Sequence, residues 1–344
     1  MLSAIHPFRR PMCSEHLVGA AEEESRKRPT FVPPTGAGES AKPECMSTVR
    51  YIRVPGPWER EARPDLPPEC FEAREPRPGE VIYVTKGNRV ATGGTAFIEQ
   101  LPSGNIVKTP KPHPLLYKKH CYNMCLEASI YEKIGSHRSI PRIVEWDSKS
   151  CCLTMEYMEN GNLREYIREN HDNITLELRY RWARQAAEGL SVVHSVVAVH
   201  CDISPRNFLL DGDLNLKISD FGGGSLLGST PSVVSGTRFL PPGFDEDAPP
   251  AFKDDIFSLG SLIYFIMVGK YPHEEAPSDE VEKLYGMYMF PDITHVSCGA
   301  VIKQCWEMQL DTAQELHDRL EALAPARCPD TEPPALVVLT EYHT

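Results

Sequence analysis

His200-Cys201-Asp202-Ile203-Ser204-Pro205-Arg206-Asn207 runs directly into Phe208-Leu209-Leu210, Asp211-Gly212-Asp213 and the stretch Leu214 to Ile218, with Asp220-Phe221-Gly222 close behind. Apolar runs on either side of an Asp-Gly turn predict a β-hairpin. Such a hairpin brings Asn207, at the start of its first strand, beside Asp220, just past the end of its second. Two hard oxygen donors then converge, a set that suits magnesium, which combines one or two protein oxygens with waters and nucleotide phosphates. Asp202 lies five residues before Asn207 in the same loop, where a carboxylate can orient and deprotonate an attacking hydroxyl as a phosphoryl group moves. Singly, such residues are more often turn aspartates or capping asparagines, which is the better reading of Asp211 and Asp213. Their joint spacing favours chemistry.

Upstream, Ala96-Phe97-Ile98 and Asn105-Ile106-Val107-Lys108 flank the turn Pro102-Ser103-Gly104 and predict a hairpin. Leu126, Ile130 and Ile134 recur at helical spacing over Cys121 to Ile134, with Glu127 and Tyr131 one turn apart beside that stripe. Lys108 shares a strand face with Ile106, so it needs a counter-charge if that face is packed; a surface lysine is the ordinary alternative. After strands over about 142 to 156, Thr175 can cap a helix lined by Trp182, Ala186, Leu190 and Val193, and helical patterns continue to about Leu323. Strands first and helices second imply an α+β architecture, a small sheet lobe joined through Glu156 to Glu159 to a larger helical lobe, with ligands in the cleft between them.

Composition narrows the function class. The 344 residues carry a formal charge of -12, which argues against a dedicated nucleic-acid binder. Eleven cysteines at irregular spacing, without a paired C-x-x-C pattern, read as reduced thiols of an intracellular, cytoplasmic protein. The first apolar residues are broken by His6, Pro7, Arg9 and Arg10, unlike a secretory signal. The run Ile256 to Val268 is too short for a membrane span and reads as a buried helix. Residues 1 to about 78 are rich in proline and poor in apolar periodicity, which predicts disorder. Within them, Arg26-Lys27-Arg28-Pro29 can be read as a nuclear signal, although solvation is the ordinary role of such a cluster.

The His-x-Asp-x-x-x-x-Asn pattern followed by Asp-Phe-Gly resembles the catalytic loop and metal motif of eukaryotic protein kinases. The resemblance implies a bilobal domain over 79-323, with a β-rich N-lobe at about 79-156, a helical C-lobe at about 160-323 and a tail over 324-344. It implies ATP- and Mg2+-dependent transfer to a serine or threonine hydroxyl of a protein substrate. It assigns Asp202 as base, Asn207 and Asp220 as metal ligands, and Lys108, paired with Glu127, as the phosphate cation. Nucleotide contacts fall on Gly93, Gly94, Ile98, Ile106, Glu156, Met158 and Leu209, with Met155 as gatekeeper. Asp255 in Asp254-Asp255-Ile256-Phe257 is assigned the anchoring of the catalytic loop. The set also looks like a divergent kinase group of filamentous fungi.

Several positions depart from that pattern. Ala91 and Ala96 replace two glycines of the phosphate loop, which restricts its tight conformations. Cys201 replaces the arginine that grips a phosphorylated activation segment, so activity without that phosphorylation is expected. Ser204 replaces a lysine near the transferred phosphate, which implies slow turnover. Gly243 replaces a glutamate, and no arginine near Leu310 and Thr312 remains as its partner. The segment from Asp220 to Pro242 offers the hydroxyls of Ser225, Ser229, Thr230, Ser232 and Ser235, ordinary for an exposed mobile loop. Two readings compete with the protein kinase: a pseudokinase acting as a binding module, and a kinase-like small-molecule phosphotransferase. Retention of Lys108, Glu127, Asp202, Asn207 and Asp220 speaks against the first, and Asp-Phe-Gly with Gly236-Thr237 against the second. No oligomeric state follows from the residues.

Overall fold

The computed structural model describes residues Val49–Leu323. Its first elements are β1 (Arg50–Val54), helix α1 (Pro57–Ala62) and β2 (Glu80–Val84), with β1 and β2 paired in parallel. An antiparallel sheet follows, built from β3 (Asn88–Thr92), β4 (Ala96–Gln100), β5 (Ile106–Pro110), β6 (Ile143–Asp147) and β7 (Cys152–Met155) in the order β3-β4-β5-β7-β6. The predicted hairpin is β4–β5, with Ile98 opposite Lys108. Between β5 and β6 runs α2 (Tyr117–Ile134), which buries Met124, Glu127, Ile130 and Tyr131.

The disorder expected up to residue 78 does not hold for residues 49–71, whereas residues 1–48 and the 324-344 tail lie outside the described residues. The segment has no internal apolar periodicity because its partners are elsewhere. Tyr51 meets Phe97 edge-on at 5.3 Å, Tyr83 lies 4.6 Å from the same ring, and Trp58 Nε1 donates to Thr85 O at 3.2 Å. Aromatic burial on the sheet together with a parallel ladder orders a stretch that composition alone reads as unfolded.

The C-terminal part contains α3 (Leu163–Asn170), α4 (Leu176–Ser195), the short strands β8 (Ala198–Val199), β9 (Phe208–Leu210), β10 (Leu216–Ile218) and β11 (Ser225–Leu226), then α5 (Phe252–Val268), α6 (Ser278–Gly286), α7 (Gly299–Trp306) and α8 (Ala313–Ala322). Thr175 Oγ1 accepts from Leu178 N at 3.2 Å and caps α4, a contribution of about 1 kcal/mol. Trp182, Ala186, Leu190 and Val193 are all buried, as their spacing predicts. Gly189 is needed where α4 crosses β10, because a Cβ there would lie 2.8 Å from Ile218 Cγ2. The apolar run in α5 is core, with Leu259, Leu262, Ile263, Phe265 and Ile266 fully buried. Among the described residues no helix is long and apolar enough to cross a membrane.

A small β-rich lobe and a larger helical lobe thus make the bilobal α+β architecture that the element order implied. Beyond β7, the Glu156 carboxylate accepts from Arg142 N at 3.0 Å and from Lys217 Nζ on β10, tying the two lobes across their junction.

Candidate active site

The site begins with the β5 face. Cross-strand neighbours in an antiparallel sheet share a face, so the pairs Ile98–Lys108 and Ile106–Met155 put these four side chains on one side of it. Lys108 is 6% exposed, and its ammonium lies 2.6 and 2.7 Å from the Glu127 carboxylate and 2.9 Å from Asp220 Oδ1. The counter-charge that a packed lysine requires is therefore present, and doubled. Burial disfavours the ammonium, but Asp220 and Glu127 outweigh it and raise its pKa above the usual lysine value. Lys108 in turn holds Asp220 below the ordinary carboxylate value. For Glu127, burial prevails and pushes the carboxyl up, with Lys108 opposing.

Asp220 follows the β9–β10 hairpin, whose register pairs Phe208 with Ile218 and Leu210 with Leu216. Ser219 N and Oγ both donate to Asn207 O, at 2.9 and 3.0 Å, so Asn207 and Asp220 are brought together as the hairpin predicts. Asp220 has φ 70 and ψ 59, a left-handed conformation that is unfavourable for a residue with a Cβ. Its bond to Lys108 and the burial of Phe221 hold it there. Phe221 packs edge-on against Tyr131 at 4.9 Å and His200 at 5.6 Å. Gly222 allows α2 to approach, since a Cβ would stand 2.9 Å from Asn123 O.

The catalytic-loop candidate is fixed from below by Asp255 on α5, which is 1% exposed. Its carboxylate accepts from His200 N at 2.7 Å, Cys201 N at 2.9 Å and His194 Nε2 at 3.0 Å. This network holds Cys201 at φ 63. His200 Nδ1 accepts from Asp202 N at 3.2 Å and Nε2 donates to Ser219 O at 3.0 Å, a supporting role rather than that of a base. Asn207 Nδ2 donates to Asp202 O at 2.7 Å and to Asp202 Oδ2 at 3.0 Å. The Asn207 side-chain oxygen and the second Asp202 oxygen remain for other partners. Asp255→Ala should strip acceptors from buried N–H groups at about 1–3 kcal/mol each. A fall in the urea midpoint together with lost activity is expected, and an unchanged midpoint would refute the anchoring role.

The remaining sequence candidates are spread around the cleft. Gly93 and Gly94 form the exposed β3–β4 turn, where Gly93 N donates to Ala96 O at 3.0 Å. Glu156 N is taken by Arg142 O and Met158 O by Gly161 N, which leaves Glu156 C=O and Met158 N–H as the junction's open edge. Leu209 is half-buried on β9.

The activation segment differs from the exposed loop expected of its serines. Ser225 and Ser235 are buried, Ser235 Oγ donates to Cys201 O at 3.2 Å, and Ser232 Oγ donates to Asn123 Oδ1 at 3.3 Å. Sequence reasoning missed Asn123, although it lies one helical turn before Glu127 on the same face. It also missed Arg238, whose guanidinium donates to the carbonyls of Pro272, His273, Glu274 and Ala276. No periodicity signals a cation that caps carbonyls distant in sequence.

The protein kinase domain model matches residues 107–326, more than half of the chain but starting after the β3–β4 turn. A probable receptor-like protein kinase of Arabidopsis thaliana is 31% identical over 218 residues, covering 57% of this chain and 44% of that protein. A putative mitogen-activated protein kinase kinase kinase 7-like protein of Drosophila melanogaster is 30% identical over 192 residues, covering 52% and 49%. A serine/threonine-protein kinase of Arabidopsis thaliana is 25% identical over 181 residues, covering 50% and 31%. The chain spans less than half the length of each of these relatives. With that match lying over a β-rich lobe, a helical lobe and the Lys108–Glu127–Asp220 arrangement between them, the chain belongs to the eukaryotic protein kinase superfamily.

Proposed function

We propose that the chain is an ATP- and magnesium-dependent protein kinase that phosphorylates serine or threonine. The observation that carries this reading is the convergence of Lys108 with Glu127 and Asp220 within 2.9 Å, beside an Asn207 tied to Asp202 and to Ser219. A folded binding module has no physical need for a phosphate cation, a carboxylate base and two metal ligands in one cleft. Thr237, and the serine/threonine kinase among the relatives, favour an aliphatic hydroxyl.

The donor set fits magnesium. Lys108 engages one Asp220 oxygen, the Asp220 side chain remains 56% exposed, and the Asn207 side-chain oxygen is the neighbouring hard donor. Magnesium combines one or two such protein oxygens with waters and nucleotide phosphates. Bound there by Asn207 and Asp220, magnesium would neutralise phosphate charge. Lys108 positions the phosphates, the Glu156 C=O and Met158 N–H meet the adenine edge, and Gly93, Gly94, Ile98, Ile106 and Leu209 enclose the nucleotide. Asp202 accepts the proton of the attacking hydroxyl, and Asn207 holds its carboxylate in place. The Ser232–Asn123 and Ser235–Cys201 bonds support a segment that is ordered without phosphorylation.

Burial raises the Asp202 carboxyl above its ordinary value, with His200 and Asn207 opposing. The working base is the ionised form, so transfer falls as pH drops through this raised value. The acid limb of kcat/KM should therefore lie above about 4, the free carboxylate range; a limb at or below it would exclude Asp202 as the base. Function itself is tested by magnesium-dependent transfer of the ATP γ-phosphate to a generic serine/threonine protein substrate and to the chain itself. ATP binding without any transfer would establish the pseudokinase instead.

A further inference from the structure

Directly after α6, three consecutive large apolar side chains face solvent: Met287 is 62%, Tyr288 65% and Met289 53% exposed. Single exposed apolar residues are ordinary, whereas a contiguous set marks a contact surface. The turn that carries them is ordered. Met287 N donates to Leu284 O at 3.1 Å, Tyr288 N to Tyr285 O at 2.8 Å and Met289 N to Leu284 O at 2.8 Å. His273 Nε2 donates to Met289 O at 3.0 Å, and the next residue, Phe290, stacks on Trp306 at 5.0 Å. Tyr288 is held at φ 56, which is unfavourable for a residue with a Cβ. A rigid turn that bears such strain while keeping three apolar side chains outside has the character of a contact site. Carboxylates flank it: residues 274–289 hold Glu274, Glu275, Asp279, Glu280 and Glu282, all exposed, against the single cation Lys283, which is paired with Asp279 at 3.5 Å. Both supports of the turn are tied to the activation segment. Arg238 donates to the carbonyls of Pro272, His273, Glu274 and Ala276, and on α6 the buried Tyr285 donates its hydroxyl to Arg238 O at 3.2 Å, next to Thr237.

We propose that Met287, Tyr288 and Met289, with the carboxylates beside them, are a docking surface for a segment of the protein substrate that sets an apolar or aromatic anchor beside lysine or arginine. That the occupant is a substrate rests on the kinase reading and deepens it. Tyrosine and methionine supply contact area at interface cores, and the anchor of the partner packs on them. Glu275, Glu280 and Glu282 select a cationic segment and steer its approach. A second copy of this chain is a poor occupant, because its own acidic flank and formal charge of -12 would meet like charge. The bonds of Arg238 make the surface continuous with the segment beside the cleft, which suits a partner that must also present a hydroxyl there. Docking outside the cleft raises the local concentration of that hydroxyl near Asp202 without touching the chemistry.

The test selects random phage-displayed peptides on the immobilised full chain. Selected peptides should combine lysine or arginine with an apolar or aromatic residue, and should bind Tyr288→Gly with Met289→Ser about tenfold or more weakly. Glycine tolerates φ 56, so this variant keeps the turn and its urea midpoint. Replacing Glu275, Glu280 and Glu282 by glutamine should weaken binding and flatten its salt dependence. No enriched peptide, acidic peptides, or binding equal in wild type and both variants overturns the surface. The substrate role is read by joining a selected peptide through a flexible linker to a serine acceptor peptide. The fusion should lower KM by about tenfold or more relative to the acceptor alone, an advantage lost in Tyr288→Gly with Met289→Ser while kcat is unchanged. Equal KM for fusion and acceptor overturns the substrate role. A chain that binds the selected peptides through Tyr288 yet phosphorylates nothing refutes the proposed function, and the substrate as occupant with it, but not the surface.

Discussion

Asp202→Asn is expected to lower phosphoryl transfer by about two to four orders of magnitude, the usual contribution of a positioned general base. The substitution preserves shape and still accepts a hydrogen bond from Asn207 Nδ2, so the loop anchored on Asp255 remains folded. On the proposed reading, what it removes is the ability to take a proton from the attacking hydroxyl. ATP binding should persist, because Lys108, Asp220 and the junction edge are untouched. The comparison is steady-state transfer alongside nucleotide titration of wild type and variant. Transfer within a few-fold of wild type would place the base elsewhere or remove the need for one, and lost ATP binding would mean that Asp202 supports the cleft rather than the chemistry.

Lys108→Met is expected to abolish transfer and, in addition, to destabilise the fold by about 3–5 kcal/mol, the cost of leaving a buried charge without its partner. The orphaned group is Glu127, whose side chain is 2% exposed, whereas Asp220 keeps access to solvent at 56%. Adding Glu127→Gln removes that charge, so the double variant should recover most of the lost stability while staying inactive. The pH dependence gives a second handle. In the single variant Glu127 escapes by protonation, its folded pKa raised above the unfolded one, so the protein should be closest to wild-type stability below the unfolded value and lose stability as pH rises through the folded one. Urea unfolding across pH measures both. A single variant as stable as the double one at neutral pH would show that Glu127 does not depend on Lys108 for its burial.

Much of this arrangement was legible before any coordinates. The hairpin after Asn207, the Thr175 cap, the α2 stripe and the α5 core all rest on interactions within one turn or across one short loop, and local periodicity reports such interactions directly. The Lys108–Glu127 pair was legible for another reason: a lysine on a packed strand face requires a counter-charge, and the resemblance named which one.

Other features lie beyond any local signal. The order of residues 49–71 comes from Tyr51 packing against Phe97 and from a parallel ladder to a strand some thirty residues later, so no window of that segment contains the surface it buries. Arg238 satisfying four carbonyls and Ser235 buried against Cys201 are contacts between segments remote in the chain. The sequence by itself determined the family and most element types from β4 onward, because these follow from side-chain period and motif spacing. Only the tertiary structure decided which aromatic side chains cover the outer sheet and how Ser232 and Ser235 are held against Asn123 and Cys201, because those contacts depend on long-range docking that periodicity does not encode.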